Sequence, residues 1–141
     1  EHVAASAGHG ARIAEFPTTE VAARACAGAG IAVMMGAPNL VRGGSHSGNV
    51  AAADLARAGL LDVLSSDYVP SSLMNAALML ADLWNDMARG IATVTAAPAR
   101  ATGLADRGML AEGLRADVVR VRRFGQAGAL RGTWVAGKRV A

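Results

Sequence analysis

The 141-residue sequence has little cysteine, little aromatic character and no long apolar run. Cys26 is the single cysteine, so no disulfide forms within the chain, which favours a reducing compartment. The longest apolar runs, such as residues 31–35, are far too short to span a membrane. The chain begins without a basic segment followed by an apolar one, so no signal peptide is predicted. We therefore expect a cytoplasmic protein with no membrane contact.

Charge is scarce as well. Charged residues make up 18% of the chain and hydrophobic residues 52%, which excludes a disordered tail. The net charge is only +3, and no basic stripe interleaved with aromatic residues is present. These features predict no nucleic-acid partner, because single-strand binding needs such a stripe. The length fits one ordinary domain.

A unit of apolar strand, polar loop and Ala-rich helix repeats along the first half of the chain. The predicted strands cover residues 13–16, 31–35 and 60–64. The helices that follow the first two strands begin near Thr19 and Val50, and Gly28 and Gly59 end them. We expect Val21, Ala22, Ala25 and Cys26 to share the apolar face of the first of these helices. This alternation predicts βα units with a parallel sheet.

The rest of the chain changes character near its end. A longer helix, or a helix pair divided at Gly90, is predicted over residues 71–95. Beyond it, β-rich segments at 116–121 and 130–140, with a turn at Gly137-Lys138, predict two or three antiparallel strands. We place the boundary near Gly103, which gives a βα part over residues 1–102 and a small β part over residues 103–141.

Unusual polar residues collect in the loops after the predicted strands, where the active sites of βα proteins lie. In the loop over residues 36–49, Arg42 offers a cation that can bind two phosphate oxygens. Gly43 and Gly44 allow close approach of the backbone to a ligand. The other polar residues of this loop are Asn39, Ser45, His46, Ser47 and Asn49. Asn49 is predicted to cap the next helix, whose positive end favours anions. The loop has the features of a phosphate-binding site; the alternative is a flexible Gly/Ser loop with one exposed His.

Two carboxylates follow predicted strands. Asp67 comes directly after a buried strand, where it could bind a metal or move a proton from a metal-bound water. The alternative for Asp67 is an Asx-turn or a helix N-cap. Glu15 lies one unit earlier, either facing the same mouth or as a solvated edge charge.

Other candidate residues carry weaker signals. His2 and His9 are predicted on the surface of a helix without a metal role. Cys26 is predicted to be an inert core thiol, since it lies on an apolar helix face. The arginines at positions 120, 122 and 123 are predicted to form a solvated strand face.

Four motifs resemble a known family. They are AEFPTT at residues 14–19, MGAPN at 35–39, RGGSHSGN at 42–49 and LSSDYVP at 64–70. Together, and in this order, they resemble the diphosphatases of the carbon–phosphorus lyase pathway in the amidohydrolase superfamily. Residues 106–119 resemble a wider pattern of the superfamily, at which the chain leaves the barrel and returns to a small β-domain.

The resemblance implies a (β/α)8 barrel with a metal site at its C-terminal mouth. A full barrel needs roughly 250 residues, and the metal-binding histidines of the family's early strands have no counterpart here. The chain is therefore interpreted as strands six to eight, the last helices and the returning β element. The implied activity is metal-dependent hydrolysis of α-D-ribose 1-methylphosphonate 5-triphosphate, in phosphonate catabolism, to the 5-phosphate and diphosphate, with the fragment alone inactive.

The resemblance also implies roles for single residues. Asp67 matches a metal ligand and proton shuttle for a divalent ion, Zn²⁺ or Mn²⁺. The phosphorylated ribose phosphonate is expected to contact Asn39, Arg42, Ser45, His46, Ser47 and Asn49. Glu15 matches a motif position to which no role is assigned.

Several alternatives stay open at this point. One is another amidohydrolase that cleaves a C–N bond, and another is an inactive fragment with open sheet edges. A doubly wound nucleotide-binding module is disfavoured, because Pro17-Thr18-Thr19 replaces the Gly-rich turn that it needs after the first strand. The sequence also leaves a homo-oligomer open.

Overall fold

Three short apolar runs form a parallel sheet in the computed structural model, which describes residues 2–45 and 48–141. The strands are β1 (Ile13–Glu15), β2 (Ala32–Gly36) and β3 (Val63–Ser65), in the order β1-β2-β3. The register pairs Glu15 with Met34, and Gly36 with Ser65. The predicted parallel sheet is confirmed, and all three strands end at the same edge.

Helices connect and follow these strands. They are α1 (His2–Gly8), α2 (Glu20–Gly28), α3 (Ala37–Arg42), α4 (Ala52–Arg57), α5 (Ser72–Trp84), α6 (Met87–Ala92) and α7 (Ala96–Ala101). Thr19 is the N-cap of α2, as predicted, and its hydroxyl accepts a hydrogen bond from the Ala22 N–H at 3.1 Å. Among the described residues, no helix is both long enough and apolar enough to cross a membrane.

Three features of the helices differ from the prediction. The first turn of the predicted 36–49 loop is helix α3, because Pro38 suits a helix start and Gly43, at φ +81°, ends it. The long helical segment divides at Asn85, at φ +50°, rather than at Gly90. Gly90 lies inside α6, where an added Cβ would come within 2.6 Å of the Ala81 backbone nitrogen. Its role is therefore close packing of α6 on α5.

The core consists of small and aliphatic side chains, as the scarcity of aromatic residues requires. Val33, Leu55 and Leu80 are among its fully buried members, and Cys26 is a buried free thiol, as predicted. The predicted buried face of α2 is wrong in part: Val21 is 78% exposed and Ala25 is exposed too, whereas Ala23 and Cys26 are buried. The small side chain of Ala23 lets α2 pack closely on the sheet.

The C-terminal segment forms the predicted antiparallel sheet from β4 (Val118–Phe124), β5 (Ala127–Val135) and β6 (Lys138–Arg139). The second turn lies at Ala136-Gly137, one residue earlier than predicted, because both residues adopt a positive φ. Arg120, Arg122 and Arg123 are exposed, as predicted, and Arg123 also pairs with Asp82 of α5 at 2.6 Å. This ion pair, together with a hydrogen bond from the Gly128 N–H to Asn75 of α5, attaches the antiparallel sheet to the helices.

Candidate active site

The ends of all three parallel strands meet at Gly36, the last residue of β2. A Cβ atom added to Gly36 would lie 2.9 Å from Phe16 Cε1 and 3.0 Å from Asp67 Oδ2. Phe16 directly follows β1, and Asp67 follows β3 by two residues. The Phe16 ring edge and the Asp67 carboxylate therefore lie within about 6 Å of each other. We name this group of Phe16, Gly36 and Asp67 the strand-end cluster.

Two members of the strand-end cluster have an unusual backbone. Phe16 has φ +55° and Asp67 has φ +49°, in the left-handed region that residues other than glycine rarely adopt. Such a conformation costs about 1–3 kcal/mol and persists only where the surroundings hold it. The Phe16 N–H donates to the Met34 carbonyl at 2.9 Å, which fixes this residue to β2. Strain of this kind is concentrated at functional sites.

The Asp67 carboxylate makes no hydrogen bond or ion pair with any residue that the structure describes, and the residue is exposed. The N-cap position of α5 is taken by Ser71, four residues later. Asp67 is therefore neither a helix cap nor the acceptor of an Asx-turn within the described chain, and its oxygens are available to a ligand.

Arg42 lies beside this group. It is the last residue of α3, and its Nη1 donates to the Tyr68 hydroxyl at 3.1 Å. Tyr68 is 61% exposed and follows Asp67 directly in the chain. The Tyr68 phenol, which binds the Arg42 guanidinium, therefore lies one residue along the chain from Asp67. Sequence reasoning missed Tyr68, although its position next to Asp67 was a usable signal.

The two asparagines of the predicted substrate loop have different surroundings from those expected. Asn39 Oδ1 accepts a hydrogen bond from the Ala52 N–H at 2.9 Å, at the start of α4. The expectation that Asn49 caps this helix is wrong, because α3 turns the chain so that Asn39 reaches the N-terminus of α4 instead. Asn49 is exposed. Directly after Asn49, the Val50 N–H donates to the Thr18 carbonyl at 3.0 Å, which attaches the chain at this point to the first βα loop.

The remaining predicted site residues lie around the same edge of the sheet or outside the described chain. Ser45 is half-buried, and His46 and Ser47 lie outside the described residues. Glu15 is exposed at the end of β1, and the register places it two residues below the level of Gly36. The structure therefore brings Asp67 and Arg42 to the same pair of neighbouring loops, with Glu15 lower on the adjacent strand.

Ser65 is a further polar group that the sequence analysis did not select. Its hydroxyl is buried and has no hydrogen-bond partner among the residues that the structure describes, and the residue pairs with Gly36 in the sheet register. Buried hydroxyls nearly always have a partner, so an orphan at this place marks a position that a ligand or water can satisfy.

A metal ion would find only part of its ligands here. Within residues 2–45 and 48–141, no group of three or more His, Cys, Asp or Glu side chains is placed to hold a metal. A carboxylate with free oxygens, such as that of Asp67, is nevertheless a good single ligand for Zn²⁺ or Mn²⁺. The chemistry of the strand-end cluster therefore fits one contribution to a divalent-metal site, with further ligands needed from other residues.

A cavity of about 730 Å³ lies elsewhere, between helices α5 to α7 and the antiparallel sheet. Its lining is mostly aliphatic, including Leu78, Ile91 and Val121. The charged groups at its edge, Arg107 and Arg123, are already paired with carboxylates. It lacks the free polar groups that the strand ends offer, so we do not place the active site there.

Comparison with known proteins agrees with the motifs. No family model matches the chain. The chain is 51% identical over 142 residues to alpha-D-ribose 1-methylphosphonate 5-triphosphate diphosphatase of Escherichia coli (strain K12). The alignment covers 99% of this chain but only 38% of that protein, so the chain spans about two fifths of the length of its relative. The resemblance indicated by the four motifs is thereby confirmed: nearly the whole chain is similar to a part of this diphosphatase.

Proposed function

We propose that the chain is the C-terminal part of an enzyme that hydrolyses α-D-ribose 1-methylphosphonate 5-triphosphate to the 5-phosphate and diphosphate. The identity of 51% over 99% of the chain supports this substrate. The observation that carries the proposal is the Asp67 carboxylate, which has no hydrogen-bond or ion-pair partner among the described residues and lies at the shared edge of three parallel strands beside the Arg42–Tyr68 pair. It joins a metal-binding group to an anion-binding group in one place.

The proposed fold of the whole enzyme is a (β/α)8 barrel, of which β1, β2 and β3 are strands six to eight. Three sequential parallel strands with helices between them support this assignment. Helix α7 ends at Ala101, close to the boundary that we propose between residues 1–102 and 103–141. The antiparallel sheet is the returning β element.

The reaction consumes one water and breaks one phosphoric anhydride bond. When bound, a divalent ion such as Zn²⁺ or Mn²⁺ would lower the pKa of a water molecule towards about 7, so that the water could react as hydroxide. Asp67 would hold the ion through a carboxylate oxygen and would take up the proton that the water loses. The new P–O bond forms to the water oxygen, and diphosphate leaves with the electron pair of the broken bond.

Arg42 and Tyr68 act on the triphosphate substrate. The guanidinium binds phosphate oxygens of the triphosphate and neutralises the charge that develops on them. The Tyr68 hydroxyl accepts a hydrogen bond from Arg42 and so fixes the direction of its side chain. The remaining metal ligands come, in this proposal, from parts of the enzyme that precede this chain.

A chimera tests the proposal. In it, this chain replaces the matching segment of the E. coli diphosphatase, and diphosphate release from the triphosphate substrate is measured. We expect turnover that disappears in the Asp67→Asn chimera, with the unaltered E. coli enzyme as the positive control. A folded chimera that releases no diphosphate contradicts the proposal, and one that cleaves a C–N bond instead supports the other amidohydrolase activity.

The isolated chain gives a second test. No group of three or more His, Cys, Asp or Glu side chains among the described residues is placed to hold a metal. We therefore expect no stoichiometric binding of Zn²⁺ or Mn²⁺ in isothermal titration, and no hydrolysis. Tight one-to-one binding with turnover would show that the chain holds a complete site by itself.

A further inference from the structure

We propose that Gly36 and Phe16 are positioning residues that fix the Asp67 carboxylate by shape. This inference rests on the proposed function, in which Asp67 holds the metal and takes up a proton. It assigns a role to two residues that do not themselves contact the reacting atoms.

The reason for a glycine at position 36 is space rather than backbone conformation. Gly36 has φ −72° and ψ 132°, which any residue adopts without strain. It is buried at the end of the central strand, where a glycine weakens the sheet and marks the close approach of another group. The approaching groups are the Phe16 ring and the Asp67 carboxylate, each about 3 Å from the missing Cβ. The absent side chain therefore creates the place that the carboxylate occupies.

Phe16 closes this place on the side of β1. Its positive φ of 55° is an outlier for a bulky residue, and its N–H bond to Met34 keeps its backbone on the sheet. The atoms nearest to Gly36 are Cε1 and Cζ, so it is the ring edge that points there.

These contacts explain how Asp67 is held without losing its free oxygens. A carboxylate fixed by hydrogen bonds would have fewer lone pairs for a metal. Asp67 makes no hydrogen bond with the described residues, yet its Oδ2 is confined by the strand end beside Gly36. Confinement by shape therefore orients the carboxylate and leaves its lone pairs for the ion.

The test introduces a Cβ at this point. In the chimera, Gly36→Ala presses on the ends of the Phe16 and Asp67 side chains, which can move, so we expect the variant to fold. The displaced carboxylate should lower kcat by about 10- to 100-fold and weaken Mn²⁺ binding to the metal-free chimera by a similar factor. We expect KM to change less than about threefold, because the Arg42–Tyr68 pair is untouched.

Gly28→Ala is the matched control. Gly28 ends α2, has no positive φ and has nothing within 4 Å of an added Cβ. This variant should keep the kcat, KM and Mn²⁺ affinity of the chimera, so that a loss in Gly36→Ala reports the strand-end cluster and not the added methyl group itself.

Phe16→Leu decides the question if Gly36→Ala does not fold. Loss of the ring frees the carboxylate, and we expect kcat and Mn²⁺ affinity to fall by about 3- to 10-fold in a variant that stays folded, with a somewhat lower melting temperature because Phe16 also packs against the core. Normal kcat and Mn²⁺ affinity in folded Gly36→Ala or in Phe16→Leu, with Asp67→Asn inactive, overturns the positioning role alone. Full activity of Asp67→Asn overturns the proposed role of Asp67 and the positioning role with it.

Discussion

The two sheets of this protein differ in what surrounds their carboxylates. Beside the antiparallel sheet, Asp117 accepts hydrogen bonds from the Ala136 N–H at 2.9 Å and from Arg115 at 3.0 Å. Asp106 pairs with Arg107 at 2.8 Å. At the end of the parallel sheet, Asp67 has no such partner among the described residues.

The paired carboxylates have shifted pKa values, and the backbone around Asp67 is unusual. The hydrogen bond from Ala136, together with Arg115 and Arg107, holds the pKa of Asp117 below its ordinary value of 3.8. The hydrogen bond with Arg107 does the same for the pKa of Asp106. Around Asp67, by contrast, the structure holds a strained Phe16 and an orphan Ser65 hydroxyl. A carboxylate with fixed partners stabilises a fold, whereas one kept free at a strained strand end is available for chemistry.

The largest expected effect comes from replacing Asp67 at the end of the parallel sheet and, for comparison, the paired Asp117 beside the antiparallel sheet. Asp67→Asn in the chimera should lower kcat by about 10²- to 10⁴-fold, the range of a lost acid–base group, and leave the melting temperature unchanged. Asp117→Asn should do the reverse: it keeps kcat and lowers the melting temperature, because the Ala136 N–H and Arg115 lose a charged acceptor. Steady-state kinetics and thermal melts of both variants measure this. Turnover retained in Asp67→Asn would contradict the proposed role of Asp67 in the reaction.

The second effect distinguishes Arg42, which we propose to bind the substrate, from Arg123, which pairs with Asp82. Arg42→Met should raise KM by about 10- to 100-fold, since a charge-assisted contact to phosphate contributes about 1.5–3 kcal/mol. Arg123→Met, which breaks the pair with Asp82, is the control from the antiparallel sheet, and its KM should be normal. If the two variants have the same KM, Arg42 does not bind the substrate.

A smaller effect is expected from the partner of Arg42. Tyr68→Phe keeps the ring but removes the hydroxyl that accepts from Arg42. We expect KM to rise by about 2- to 10-fold, less than in Arg42→Met, because the guanidinium that binds phosphate remains and only one hydrogen bond that orients it, a contribution of about 0.5–1.5 kcal/mol, is lost. A KM equal to that of the unaltered chimera would make the Arg42–Tyr68 bond a surface contact without a part in binding.

Much of the fold followed from the pattern of apolar runs. Strands β1 to β3 were predictable because strands buried between other layers are short continuous apolar runs. Helix α3 was not, since Gly36, Pro38 and Asn39 together suggest a loop, and only the capping by Gly43 completes a helical turn. The division at Asn85 was missed because Gly90 is the stronger local signal. Gly90 is needed instead for contact with Ala81, nine residues earlier.

The candidate site was predictable only where it depends on the order of strands. Asp67 follows a buried strand, and this alone places it at the edge where parallel strands end. Which asparagine reaches the start of α4 depended on the chain reversal at α3. Asn39, and not Asn49 as predicted, therefore accepts the hydrogen bond from the Ala52 N–H. Phe16 and Gly36 carried no signal of their own, because their meaning lies in contacts with residues that are distant in sequence.

The smallest expected effect is a response of the antiparallel sheet to acid. Because the pKa values of Asp106 and Asp117 are lowered in the folded state, the unfolded chain binds more protons at acidic pH. The stability from these groups is therefore present above pH 3.8 and is lost as the pH falls through the lowered folded values.

Hydrogen exchange of the chimera, corrected for the intrinsic rates, measures this effect. Between pH 6 and pH 3, protection in β5 and β6 should fall more than in β2 and β3. Both aspartates are exposed and screened by solvent, so the change should be modest. In Asp117→Asn the acid response of β5 and β6 should shrink, because Ala136 then has no titrating acceptor. An unaltered response in that variant would show that the acid sensitivity of the antiparallel sheet does not arise from Asp117.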